Sequence, residues 1–330
     1  MLNIQAVFEK FKDIKVAVLG DVMLDTYFWG EVERISPEAP VPIVLVKKEE
    51  YRLGGAANVA FNLAALGAQA YVFSVVGQDS NADSLFRIMA DKQIEHGHIL
   101  QTATRPTTSK TRIMARNQQV MRLDNEVLED LSAELETRLL NNLEAFFKAQ
   151  RPELLILEDY NKGVLTPNVI GKAIQLANEY NVLTAVDPKQ QNFFLYQNVT
   201  IFKPNLKEIK AALSINNLIT IDLESLAAMH AQLFSRLNHE YSLFTLSEKG
   251  VFYQQTDRPP NLLPAKIRNI ADVSGAGDTV IAVISLVYAI TGDMSLAAEM
   301  GNIAGGLVCE QVGTVAINKE KLLTETINCL

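Results

Sequence analysis

Five short apolar runs, separated by stretches of helical periodicity, constrain this chain more than any other feature. Residues 15–19 (KVAVL) form the first run, closed by Gly20 and Asp21, and 71–76, 154–157, 183–186 and 241–246 follow. Each reads as a buried strand. Between them apolar residues recur at helical spacing. Val59, Leu63 and Leu66 fall at i, i+4 and i+7 before Gly67 stops the pattern, and 166–180 and 223–237 read as further helices. Strands alternating with helices predict a doubly wound α/β sheet flanked by helices, with ligands gathered at the carboxyl ends of the strands.

Two segments break the alternation. Residues 40–46 (PVPIVLV) are proline-punctuated and β-rich. Residues 108–122 alternate, placing Lys110, Arg112, Met114 and Arg116 on one face and Thr111, Ile113 and Ala115 on the other. Asn117 and Gln118 read as a turn into a further run at 120–123. Together these segments, near 28–52 and 105–124, predict a small β-lid inserted into a single domain spanning 1–330. No repeat, low-complexity tract or long linker divides the chain.

Composition narrows the partners. With 48% apolar and 21% charged residues, the 330-residue chain has the balance of a soluble globular protein. A formal net charge of −8 argues against a broad nucleic-acid or anionic-membrane surface but leaves room for a small basic pocket. Cys309 and Cys329 are too few for a disulfide framework or a Cys-only zinc site, so a reducing compartment is expected. Residues 1–16 carry charges inside their apolar stretch and lack a small-residue cleavage site, predicting an amphipathic helix and not a signal peptide. No uncharged run reaches the roughly 18 residues of a membrane span, and a cytoplasmic protein is expected.

The segment 272–279 (DVSGAGDT) is the most informative chemically, because it precedes an apolar stretch at 280–290 that reads as a buried helix. Gly275, Ala276 and Gly277 would leave backbone N–H groups free at the positive end of that helix, a site for a transferring phosphoryl group. Asp278, in the first turn, could accept the proton of an attacking hydroxyl. The plainer alternative is a Ser274 N-cap with an acidic first turn. Gly54 and Gly55 read as a hinge or a close approach to ligand, followed by Asn58, which offers a donor and an acceptor to a sugar hydroxyl, or else as an ordinary loop-to-helix entry. Asp21 and Asp25 lie just past the first strand and suit a polyol, or else mark a solvated turn. Asp187 and Lys189 end one strand. Asn205 and Glu208, three apart, could both face a hydrated Mg²⁺, although a capping box has the same spacing. Ser247 and Gly250 end another strand in what is either a phosphate-contacting loop or a plain turn.

Taken together and in order, these segments resemble the ribokinase-like (PfkB-type) carbohydrate kinases over nearly the whole chain. The resemblance implies the ribokinase-like fold, ATP and Mg²⁺ as cofactors, with room for a monovalent cation, and roles for each motif. Gly275, Ala276 and Gly277 would form the anion hole and Asp278 the base. Gly54, Gly55 and Asn58 would contact sugar, and Asn205 and Glu208 would organise Mg²⁺ and nucleotide phosphates. The 245–250 loop would bind nucleotide, and Asn302 would lie on a helix bordering the adenine.

The segments at 20–25 (GDVMLD), 34–42 (RISPEAPVP), 54–58, 116–119 with 122–124, and 159–163 (DYNKG) look more narrowly like the bacterial D-glycero-β-D-manno-heptose-7-phosphate kinases. That likeness implies phosphorylation at O1 on the way to the ADP-heptose of lipopolysaccharide. Because the chain ends at Leu330, the stand-alone form without a nucleotidyltransferase domain is expected. A phosphorylated acceptor needs cations, which Lys110, Arg112, Arg116 and Lys162, with Gln118 and Arg122 nearby, could supply unless the lid face is simply solvated. Lys203, where Thr is more usual, and Glu158, where Ser is commoner, depart from the pattern. By analogy the lid strands would pair in a homodimer. Two rival readings remain: another sugar or nucleoside kinase on the same fold, and a non-catalytic nucleotide or sugar sensor. A dinucleotide-binding oxidoreductase would need a glycine fingerprint that the first strand lacks.

Overall fold

The apolar runs pair side by side as the parallel centre of one large sheet. The protein, a computed structural model describing residues 3–116, 118–215, 220–266 and 268–329, opens with α1 (Ile4–Lys10), β1 (Lys15–Gly20), β2 (Val22–Ile35), β3 (Pro42–Gly55) and α2 (Ala56–Leu66). There follow β4 (Gln69–Gly77), α3 (Ser80–Asp91), β5 (Ile99–Thr102), β6 (Ser109–Ala115), β7 (Gln118–Asn125) and α4 (Ala133–Gln150). The middle of the chain holds β8 (Leu154–Glu158), α5 (Pro167–Glu179), β9 (Leu183–Asp187), β10 (Ile201–Phe202), α6 (Leu206–Ala212) and α7 (Leu223–Leu237). It closes with β11 (Tyr241–Thr245), β12 (Val251–Gln255), β13 (Asn261–Leu263), α8 (Ala276–Thr291), α9 (Met294–Val308) and α10 (Lys319–Cys329).

The large sheet has the order β13-β12-β11-β10-β9-β8-β1-β4-β5. It is parallel from β5 to β11, and β12 and β13 add an antiparallel edge. From β1 the chain winds outward to β4 and β5, then returns to lay β8 on the other flank of β1. That reversal opens a crevice at the carboxyl ends of β1 and β8, the place where such sheets bind ligands. Alternation sends Val16, Val18, Leu154 and Ile156 into the layer built with α2, α8 and α9, and Ala17, Leu19, Leu155 and Leu157 into the layer with α4, α5 and α7. Strands apolar on both faces are stable only when covered on both, and both are covered here.

Local signals fix the helix ends. Thr166 caps α5 ahead of Pro167, and Gly67 closes α2 in a left-handed conformation (φ 102°) while its N–H reaches back to Ala64 and Leu63. Helix α8 is buried on every side from Asp278 to Tyr288, as an all-apolar helix must be. It packs closely on α9 because Gly301 presents no side chain, and a β-carbon there would run into Ile284.

The second sheet, of order β3-β2-β6-β7, is the lid. Its β2–β3 hairpin is longer than the sequence suggested. Asp21 alone separates β1 from β2, so residues 20–25 are not a turn, and Asp25 lies inside a lid strand with its neighbours Val22, Met23 and Leu24 buried. The two carboxylates had masked that apolar run. Arg116 lies past the end of β6 in a left-handed turn (φ 48°), off the alternating face where Lys110 and Arg112 sit. Asn117, expected in that turn, lies outside the described residues. Among the described residues, no helix is long and apolar enough to cross a membrane.

Candidate active site

Gly275 begins the site. It is the N-cap of α8 in a left-handed conformation (φ 77°), and no side chain caps the helix. Ser274, the expected alternative cap, turns its hydroxyl to Asp272 Oδ1 at 2.8 Å. The reason is steric as well as conformational: a β-carbon on Gly275 would lie 2.7 Å from Asn58 Nδ2 and 3.1 Å from Thr314 Cγ2. The start of a buried helix is therefore left without a side-chain cap, an arrangement that can accept an anion. Gly277, in the first turn of α8, faces a charged pair: a β-carbon there would lie 3.5 and 3.7 Å from Asp187 Oδ2 and Lys203 Nζ, ordinary contact distances.

Asp278 follows in the first turn of α8, buried, with each oxygen engaged. Asn58 Nδ2 donates to Oδ2 at 2.8 Å, and the Tyr160 hydroxyl donates to Oδ1 at 2.7 Å. Burial pushes its carboxyl up, and the two donors pull it down, leaving it at about 6. At neutral pH such a group is ionised yet basic enough to take a proton.

Glu158, Asp187 and Asp278 converge at the ends of β8, β9 and the start of α8, with carboxylate oxygens all within 4.8 Å of one another. Lys203 Nζ reaches Asp187 at 2.6 Å and Lys189 Nζ reaches it at 3.4 Å. Burial opposes ionisation of Asp187, but the two ammonium groups outweigh it and hold the carboxyl below its usual range. Lys203 is itself buried, and removing it would leave Asp187 with only the longer contact to Lys189. Glu158 is different. It is completely buried, neither oxygen has a hydrogen-bond partner among the described residues, and burial followed by Asp187 and Asp278 drives its carboxyl well above the usual range.

Lys189 also bridges to Glu208 at 2.8 Å, tying in the next motif. Asn205 and Glu208 form a reciprocal capping box on α6: Asn205 Oδ1 accepts from the Glu208 N–H at 2.9 Å and Glu208 Oε2 from the Asn205 N–H at 2.8 Å. A bridge between Asn205 and Thr245 sets the 245–250 loop alongside. Within that loop Gly250 (φ 95°) is needed for the turn, since a side chain would strike the Leu263 carbonyl. Asn302 on α9 donates to the Pro264 carbonyl at 2.9 Å.

On the lid side, Asp21 is already saturated: its oxygens accept from the N–H groups of Tyr160, Lys162 and Val164 at 2.8, 3.0 and 3.1 Å. Burial still pushes its carboxyl up. Asp25, also buried and raised for that reason, pairs with Arg112 at 2.5 Å. Gly54 makes room for it, because a β-carbon would lie 2.8 Å from Asp25 Oδ2. Gly55 lets the chain pass the Asp21 carbonyl, which accepts from Ala56 N–H at 3.0 Å.

Four of the five expected cations are paired, Arg122 among them with Asp124 at 2.9 Å. Lys110 reaches Asp124 and Glu126 at 3.3 and 3.1 Å, and Lys162 reaches Glu126 at 2.7 Å, while Arg112 holds Asp25. Arg116 and Gln118 are exposed, at the end of β6 and the start of β7. Tyr160 was not singled out from sequence; its place in the DYNKG run was the one available signal.

The chain as a whole has known relatives. The chain matches the pfkB family of carbohydrate kinases over residues 13–321. It is 38% identical over 321 residues to the bifunctional protein HldE of Pelobacter propionicus, covering 97% of this chain and 65% of that protein. It is 41% identical over 310 residues to HldE of Methylobacillus flagellatus, covering 94% and 62%. The chain thus spans under two thirds of the length of these relatives. In fold it is similar to phosphofructokinase-2 of Escherichia coli in complex with potassium, with a TM-score of 0.77, 16% identity and coverage of 95% and 99%. It is similar also to ribokinase of Arabidopsis thaliana complexed with ribose and ATP, with a TM-score of 0.72, 16% identity and coverage of 94% and 98%. With an uncapped helix start beside a buried carboxylate, and a family match along almost its full length, this chain belongs to the pfkB family of carbohydrate kinases.

Proposed function

We propose that the protein transfers the γ-phosphoryl group of ATP to O1 of D-glycero-β-D-manno-heptose 7-phosphate, giving the 1,7-bisphosphate, a step in ADP-heptose supply for the lipopolysaccharide core. The observation that carries the chemistry is Asp278, buried at the uncapped start of α8 with both oxygens held. The acceptor hydroxyl gives its proton to the Asp278 carboxylate as its oxygen attacks phosphorus in line, and ADP leaves. N–H groups at Gly275, Ala276 and Gly277 stabilise the charge on the equatorial oxygens. Excluding water there strengthens each of these contacts.

Asp25 and Asn58, with the side-chain-free Gly54 and Gly55, line the sugar side in this reading. Asp21 serves it by shaping the 160–164 loop. On the nucleotide side stand Asp187, Lys189, Ser247, Gly250 and Asn302. Mg²⁺ fits Asn205 and Glu208 only through water: Asn205 Oδ1 and both oxygens of Glu208 are committed to the cap and to Lys189. When bound with ATP, the ion would neutralise charge on the phosphates. In this reading the three-carboxylate cluster needs no metal, since Lys189 and Lys203 already pair with Asp187 within it.

The heptose phosphate rests on the segments that resemble heptose-7-phosphate kinases, and the likeness to proteins named HldE accords with it. Its phosphate would exchange for Asp124, Glu126 or Asp25 on Lys110, Lys162 and Arg112, with Arg116 and Gln118 closing from the lid turn. That the cations are already paired favours one alternative, an unphosphorylated sugar or nucleoside as acceptor. We further propose one kinase domain over 1–330 working in the cytoplasm, room for a monovalent cation, and a homodimer through the lid. Exposed Ile35, Val41, Leu45, Val46, Met121 and Leu123 support the last.

ADP release measured with the heptose 7-phosphate beside ribose, fructose 6-phosphate and adenosine separates the readings. Turnover with the heptose phosphate alone is the expected result. Turnover with another acceptor would remove the heptose assignment and leave the Asp278 chemistry, and silence on all four with ATP still bound would point to a sensor.

A further inference from the structure

Tyr160 stands two residues beyond β8 with no role in the chemistry above, yet much of the buried polar structure holds it in place. Its backbone N–H donates to Asp21 Oδ2 at 2.8 Å, and Asp21 gathers the next turns of the loop through Lys162 and Val164. Asp159, just before it, accepts from the Asn161 N–H and from the Tyr196 hydroxyl, both at 2.7 Å. Arg105 donates to the Lys162 carbonyl, and Lys189 Nζ lies over the Tyr160 ring, 5.1 Å from its centre. The outcome of this scaffold is one contact, the phenol O–H on Asp278 Oδ1 at 2.7 Å.

Asn58 on α2 holds the other oxygen at 2.8 Å. Two donors from different elements, one on each oxygen, leave the carboxylate a single rotation. We propose that Tyr160 is a positioning residue for the base: its phenol orients the Asp278 carboxylate toward the acceptor hydroxyl, and Asp21 acts on the base through the 160–164 loop. This rests on the reading of Asp278 as the base.

The phenol also has an electrostatic consequence. Asp278 is faced by Glu158 from β8, by Asp187 at the end of β9, by Lys189 and Lys203 beyond β9 and β10, by Asn58 from α2, and by Tyr160 itself. The donor on Oδ1 favours the ionised form, so its loss moves the titration of the base upward from about 6.

Tyr160→Phe removes one oxygen and leaves the ring. The acid limb of the kcat profile should move to higher pH by about one unit, roughly a tenfold loss on the acid side that recovers on the alkaline side, as for one hydrogen bond to a charged group. The KM for ATP should not change. Replacing Tyr160 with 3-fluorotyrosine, a stronger donor of similar size, should move the limb the opposite way and covers the case in which the Phe variant folds poorly. An acid limb unmoved in both variants would overturn the proposal, as would a change confined to the KM of the acceptor. Asp278→Asn run alongside separates the failures: normal turnover there defeats the assignment of the base itself, whereas a dead enzyme with an unmoved Tyr160→Phe profile defeats only the role of Tyr160.

Discussion

At the carboxyl ends of the main sheet, charge is buried: Glu158, Asp187, Asp278 and Lys203 are each at most 5% exposed. At the lid, Lys110 and Asp124, with Glu126 just past β7 and Lys162 in the loop after β8, pair with side chains 13–24% exposed. The difference has a physical meaning. A buried ion has no water to fall back on, so each partner is fixed and each loss is expensive. A pair that keeps some contact with water is held less tightly than a fully buried one and exchanges partners more readily, which suits a surface that must open for a charged ligand. Hydrophobic contacts divide the same way, with α8 enclosed on all sides while Leu45, Met121 and Leu123 of the lid remain exposed.

The sharpest way to break this comparison is Asp278→Asn. Turnover should fall by roughly 10²–10⁴-fold, the range of a lost general base, while ATP binding measured by titration calorimetry is kept. Near-normal turnover would mean that burial at this position serves the fold and not the reaction.

A substitution among the partly exposed pairs should act differently. Lys162→Ala is expected to raise KM for a phosphorylated acceptor by about tenfold, the order of one charge-assisted contact, and to leave KM for ATP and thermal stability nearly unchanged. Equal effects on phosphorylated and unphosphorylated acceptors would show that the lid cations do not read a phosphate.

The smallest effect concerns stability. Glu158 has a folded-state value well above 4.5. Its contribution is therefore fully present below the unfolded value and is lost as pH rises through the folded one. Asp159, raised by burial and by Asp21, and Asp278, raised by burial, follow the same sign, each at about 6. Glu158→Gln removes the penalty without changing shape, so it should melt higher than the parent at neutral pH by about 2 °C, with the gap closing in acid. Parallel melting curves across pH would show that burial does not raise the Glu158 carboxyl above its unfolded value.

Legibility followed range. Strands β1, β4, β8, β9 and β11 and helices α5 and α7 were readable because apolar periodicity is a local property, and α7 ends where the pattern ends. The Gly275–Asp278 loop was readable because its chemistry lies in four adjacent residues. Strand β2 was not, since Asp21 and Asp25 interrupt a short apolar run that is buried only when the lid folds over it. The two-residue β10 and the antiparallel β12 and β13 carry too few residues for a period to show.

The amino-acid order alone thus determined the α/β alternation, the buried helix and the glycine-rich approach to Asp278, because propensity, periodicity and backbone freedom act over a few residues. Tertiary structure decided what those residues meet. Asn58 and Asp278 are 220 positions apart, and Tyr160 and Asp278 118 apart, yet each pair shares a hydrogen bond. Asp21 became a loop anchor and Lys203 a countercharge for the same reason: the proximity and the loss of water that set a carboxylate's partners and its proton affinity exist only once the sheet has closed.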